Sequence, residues 1–138
     1  MNDEIRYQPC EHLEGWSGVA EASSNPVRAK SFEFALSTIN LYKTLQANRE
    51  YAVSKQVLRS GTSIGANVEE GVAASSRRDF LRKMTIASKE ARETVYWFRL
   101  LDESDLVTDI DVQSELGEAG ELVRLLTAIV KTTKESAP

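Results

Sequence analysis

One cysteine, one histidine, three prolines and seven glycines are all that 138 residues contain of these types. A lone cysteine, Cys10, excludes an intramolecular disulfide and every multi-cysteine zinc site. A lone histidine, His12, excludes His-pair metal motifs and leaves almost nothing to serve as a general base. The scarcity of proline and glycine argues against collagen-like, low-complexity and turn-dense all-β chains. No run of about 18 uncharged apolar residues occurs, so no membrane span is expected. Residues 1–24 carry Asp3, Glu4, Glu11, Glu14 and Glu21 and do not read as a signal peptide, which makes the cytoplasm the expected compartment. What remains is ordinary for a folded protein: 41% hydrophobic and 28% charged residues in a length that suits one domain.

The formal charge of −4 conceals an uneven distribution. Residues 1–25 carry −4, residues 26–99 carry +6, and residues 100–138 carry −6. A basic middle between acidic ends can offer a polyanion a local patch despite the acidic total.

Residues 1–25 show no sustained period and read as a poorly ordered N-terminal arm, with Tyr7 and Trp16 as anchors. Residues 26–138 read as an all-α, antiparallel up-down four-helix bundle. Asn25 and Pro26 suit a helix start, as cap and first-turn residue. Phe32, Ala35, Leu36, Ile39 and Tyr42 then follow helical spacing to about residue 46, with Phe34, Leu41 and Leu45 as a second apolar row. A second helix is predicted over about 50–73 on Val53, Val57, Ile64, Val68 and Val72. It contains Gly61 and Gly65, at about 1 kcal/mol each relative to alanine, yet no proline and no break in apolar spacing. Four residues apart, the two glycines share a face and allow a neighbouring helix to come close. Ser76 with Asp79 resembles a capping box opening helix three, whose stripe of Phe80, Met84, Ala87, Ala91, Val95, Phe98 and Leu101 runs to about 103. Thr108, Asp109 and Asp111 are predicted to open helix four, lined by Leu116, Ala119, Leu122, Val123, Leu126, Ile129 and Val130.

Two features exceed what a solitary bundle needs. Ile86, Trp97 and Leu100 fall opposite the core stripe of helix three, and Phe34, Leu41 and Leu45 are the surplus on helix one. Surplus apolar rows imply a partner surface, here self-association. Arg78, Arg82, Lys89, Arg92 and Arg99 fall together on another side of helix three and could track the phosphates of RNA or DNA without regard to sequence. A solvated outer face accounts for the same stripe. Ser63, Asn67 and Glu70 share a face of helix two and read as a buried polar network that fixes helix register, with Arg59, Ser88 or Arg92 as partners.

Catalytic and metal sites fail on residue type. No histidine lies in any predicted helix, no Glu-x-x-His pair exists for a di-iron site, and no glycine-rich loop follows a strand. The expectation is a non-enzyme that binds no metal or cofactor.

The segments Lys30–Leu36, Ser54–Gly71 (with Arg59-Ser60-Gly61-Thr62-Ser63-Ile64-Gly65-Ala66-Asn67 at its centre) and Asp79–Trp97 resemble the bacterial four-helix bundle proteins encoded by intervening sequences of the 23S ribosomal RNA gene. The resemblance spans about 25–130 and leaves the arm outside. Related to that family are the accessory proteins of diversity-generating retroelements, which associate with a reverse transcriptase and bind nucleic acid. The resemblance implies a homopentameric ring with a basic surface, with a protein such as a reverse transcriptase and RNA or DNA as partners. It implies no established activity for stand-alone members. The alternative is a protein-interaction scaffold that binds no nucleic acid.

Overall fold

The computed structural model describes residues 26–136. The arm, with Cys10, His12, Tyr7, Trp16 and the Asn25 cap, lies outside the described residues. Four helices account for the fold: α1 (Pro26–Ala47), α2 (Ala52–Val72), α3 (Arg77–Glu103) and α4 (Gln113–Glu135). Consecutive helices pack side by side and α4 closes back on α1, the sparsest of the four seams. Short connections and cross-links between opposite ends make neighbours antiparallel. Arg28 near the start of α1 binds Glu69 near the end of α2, and Arg77 at the start of α3 donates to the Thr133 carbonyl near the end of α4.

α2 runs unbroken through its Ser-Gly-Thr-Ser segment. The hydroxyls there are satisfied along the helix itself: Ser60 Oγ donates to the Gln56 carbonyl, Thr62 Oγ1 to Leu58 and Ser63 Oγ to Ser60. Hydroxyls that otherwise compete with helical bonding are thereby absorbed by it. Both glycines are spaces for α1. A Cβ on Gly61 would stand 2.7 Å from Thr38 Cγ2 and Oγ1, and one on Gly65 would stand 3.2 Å from the Ser31 carbonyl oxygen. The buried Thr38 cannot easily yield, because its Oγ1 donates to the Phe34 carbonyl at 2.8 Å.

This contact sets the rotation of α1. Ser31 and Thr38 must face α2, so Val27, Phe34, Leu41 and Leu45, which share their side, turn inward and are buried. The Phe34 ring meets Phe98 of α3 edge-on across the bundle, with centroids 6.0 Å apart. Around them the core is completed by Val57, Ile64 and Val68, by Phe80, Met84, Ala87 and Ala91, and by Leu122, Leu126 and Ile129. Thr94 Oγ1 donates to Ser60 Oγ at 2.9 Å, a buried polar link between α3 and α2.

The helix ends follow local chemistry. Ser76 accepts from the Asp79 N–H at 3.1 Å, as the capping pattern implies. Glu50 caps α2 instead of a Ser or Asn: its carboxylate accepts from Val53 N at 3.2 Å and Ser54 N at 2.7 Å, where the helix dipole favours negative charge. Just before it, Arg49 takes φ 63°, the left-handed conformation of the turn. α4 begins at Gln113, five residues later than the expected Thr108 start. Val112 is buried and Asp111 Oδ1 accepts from Gln113 N at 2.9 Å, so the segment before it is a packed connection.

Opposite outcomes are expected for two glycines. Gly61→Ala gains about 1 kcal/mol of helix propensity but incurs about 1–3 kcal/mol of overpacking against Thr38, for a net loss of up to about 2 kcal/mol. Gly117 has nothing within 4 Å of its would-be Cβ, so Gly117→Ala should gain up to about 1 kcal/mol. Urea midpoints with unchanged slopes check both.

Candidate nucleic-acid interface

The basic stripe of α3 is on the surface. Arg78, Arg82, Lys89, Arg92 and Arg99 are all exposed. Arg82 pairs with Asp79 at 3.3 Å and Arg99 with Glu103 at 3.2 Å, both within the helix. Among the described residues no carboxylate forms an ion pair with Arg78, Lys89 or Arg92. Arg92 Nη2 instead donates to Thr127 Oγ1 of α4 at 3.0 Å, so the stripe leans toward α4.

α4 extends it. Arg124 borders an open depression between α3 and α4, together with Arg92, Val95, Gly120 and Val123. Lys131, seven residues beyond Arg124, repeats its face one α-helical heptad on. The −6 of residues 100–138 hides these residues from a segment-level charge count. The helical angle of Arg124 relative to Leu122 and Leu126 sets it on one flank of α4, and the packing of that flank against α3 places it beside Arg92.

The acids of α4 lie on its other flank. Glu118 and Glu121 line the α1–α4 seam with Lys30 and Glu33, and Glu121 pairs with Lys30. Further along the seam stand Asp109, Asp111 and Glu115 beside Ser37 and Thr44. Charge is therefore biased by face around the bundle, with Arg92, Arg124 and Lys131 along α3–α4 and Glu115, Glu118 and Glu121 along α1–α4, while Asp79, Asp102 and Glu103 of α3 are engaged by Arg82, Gln113 and Arg99. Among the described residues no group of three or more His, Cys, Asp or Glu could hold a metal ion.

The polar residues of α2 do not form a buried network. Ser63 and Asn67 are half-buried and bonded within their own helix, Asn67 Nδ2 donating to the Ser63 carbonyl at 2.8 Å. Glu70 is exposed and pairs with Lys83 of α3 at 2.5 Å. Each residue lies on the α3 side of α2, where the seam opens to solvent, so charge pairing replaces burial. Arg59 bridges Glu90 at 3.2 Å and Glu93 across the same seam. At the bundle's end Arg28 holds both Glu69 oxygens at 2.6 and 2.9 Å, and that hydrogen bond, then the carboxylate charge, raises its pKa above the ordinary arginine value.

The expected apolar interface is redistributed. Phe34, Leu41 and Leu45 are core residues, 1%, 7% and 0% exposed, and cannot form an external surface. The exposed row of α1 is Phe32, Leu36 and Ile39, at 62%, 49% and 37%. On α3, Ile86 and Trp97 are half-buried and Leu100 is exposed. Trp97 donates Nε1–H to Glu93 Oε2 at 2.9 Å and meets Tyr96 edge-on at 5.1 Å.

Among the described residues no helix is long and apolar enough to cross a membrane. No curated protein matches the chain. A solved structure from Bacteroides thetaiotaomicron VPI-5482, described as a protein with unknown function from the S23 ribosomal protein family, is 48% identical and covers 77% of this chain and 99% of its own, with a TM-score of 0.72. Residues 23–128 match the family described as 23S rRNA-intervening sequence protein. With a match over most of its length and a bundle of the same shape, the chain belongs to the 23S rRNA-intervening sequence protein family.

Proposed function

We propose that this bundle is a non-catalytic, self-associating protein that binds the phosphate backbone of nucleic acid through its α3–α4 face. One observation carries the binding half of this reading. Arg78, Arg82, Lys89, Arg92, Arg99 and Arg124 stand exposed on adjoining helices, and only Arg82 and Arg99 among them are paired with a carboxylate of the described residues, each within α3. Ordinary solvated helix faces pair their charges locally; here Asp79 and Glu103 occupy only Arg82 and Arg99, and Arg78, Lys89, Arg92 and Arg124 form no ion pair among the described residues. Binding of this kind draws its affinity from counterion release, so log affinity should fall linearly with log salt, by about 0.9 per phosphate contact on duplex DNA. Titrations of unrelated RNA and DNA oligomers over ~50–200 mM salt test it. A steep slope common to all sequences supports the reading, and no binding at the lowest salt removes it.

The self-association half rests on Phe32, Leu36 and Ile39. Spaced i, i+4 and i+7, they form one outward apolar row on α1. A second copy is the occupant we assign to it, and five copies is the number carried over from the family resemblance. Phe32→Glu combined with Leu36→Glu should disperse the assembly to a monomer near 15.4 kDa by light scattering, with helicity unchanged. An unaltered mass after both substitutions would move the interface elsewhere. If the unmodified protein assembles but binds neither RNA nor DNA, the apolar row favours the second reading, a scaffold for other proteins.

A further inference from the structure

The depression between α3 and α4 has a composition that phosphate tracking alone does not require. Its floor is apolar, made by Val95 of α3 and Val123 of α4, which pack against the core from the outside. Gly120 has no side chain to fill the hollow: a Cβ there would make only ordinary van der Waals contact, its nearest neighbour being Arg124 Nη1 at 3.6 Å. Its rim is two arginines from different helices, Arg92 and Arg124, neither paired with a carboxylate of the described residues. The space is a shallow depression of about 380 Å3, broadly open to solvent.

Resting on the nucleic-acid reading above, we infer that this depression holds one unstacked nucleotide of a single strand, its phosphate between Arg92 and Arg124 and its base over Val95 and Val123. A phosphate accepts charge-assisted bonds from two guanidinium forks better than from one. A base face is flat and weakly polar, and it covers an aliphatic floor that water solvates poorly. In a duplex the bases are paired and stacked inside, so the floor would meet nothing and only the arginines would act. The site therefore separates single-stranded from double-stranded nucleic acid, which a basic stripe by itself does not.

Filling the hollow while keeping the charges isolates this site. Gly120→Leu should retain full helicity, since leucine is a better helix former than glycine. Binding of the unmodified and substituted proteins to three probes is compared at one salt concentration: a short oligouridylate, a DNA duplex, and inorganic polyphosphate, which has the charge but no base. Gly120→Leu is expected to weaken oligouridylate binding about ten-fold, the order of one lost base contact, and to leave duplex and polyphosphate binding within about two-fold. Arg124→Ala should weaken all three, and Arg124→Lys should restore polyphosphate binding more than oligouridylate binding. An equal effect of Gly120→Leu on all three probes, or none on any, overturns the nucleotide site while leaving backbone binding intact. Failure of the unmodified protein to bind any probe at low salt overturns both.

Discussion

Phe34→Ala is expected to destabilise the bundle by about 3–5 kcal/mol, a fall of roughly 12–20 °C in unfolding midpoint for a domain of this size. The ring is 1% exposed and meets Phe98 across the centre, so its removal leaves a cavity between α1 and α3 that α1 cannot close without disturbing the Gly61–Thr38 contact. Phe32→Ala, two residues earlier, should change the stability of the isolated bundle by less than about 1 kcal/mol, because Phe32 is 62% exposed. Under the proposed self-association its effect would be on assembly, read as mass. Thermal unfolding of the two variants side by side checks the rotation of α1. Equal losses would mean that both faces are buried in the same degree, which the structure contradicts.

Replacing Arg78, Arg82, Lys89 and Arg92 together by alanine should nearly abolish nucleic-acid binding. At about one unit of log–log salt slope per contact, four lost contacts lower affinity by roughly 10^3-fold near ~0.1 M salt, for every sequence alike. Stability should hold within about 1 kcal/mol, because the stripe is exposed and its ion pairs are local to α3. Arg92 is the informative member. Its bond to Thr127 places it on the α4 side of α3, away from Asn67 and Glu70, so Arg92→Ala alone should leave the fold intact. Fluorescence anisotropy against salt gives the slope, and urea unfolding gives the stability. Unchanged binding after all four substitutions would remove the stripe from the proposed function.

Four helices, their order and the continuity of α2 were legible from spacing, because the apolar positions of α2, α3 and α4 each favour one side. α1 was not, and the reason is physical. Phe32, Leu36 and Ile39 form as good a row as Phe34, Leu41 and Leu45, so periodicity within α1 offers two equivalent answers. The choice is made by α2, whose glycines demand Ser31 and Thr38 opposite them. That information is pairwise between helices and absent from either one alone. The start of α4 was misplaced for a similar reason: Asp109 and Asp111 suit a first turn, but burial of Val112 holds the preceding segment as a connection. Ser63, Asn67 and Glu70 were correctly grouped on one face, and wrongly assigned to the interior, because helical angle gives direction and not depth. For Arg78, Arg82, Lys89, Arg92 and Arg99, angle alone was enough to place them together on an exposed face of α3. Arg124 and Gly120 required knowing which flank of α4 meets α3.

The bias of charge by face gives the bundle a transverse electric asymmetry, with Arg78, Lys89, Arg92 and Arg124 toward one side and Glu33, Glu118 and Glu121 toward another. A polyanion approaching from a distance would exert a torque on such a molecule before any contact forms, turning the α3–α4 side forward and the α1–α4 side away. The advantage then appears in encounter kinetics: productive collisions become a larger fraction of all collisions, and the association rate rises as ionic strength falls. In the proposed binding, the acids of the rear face would add to this orientation without touching the polyanion.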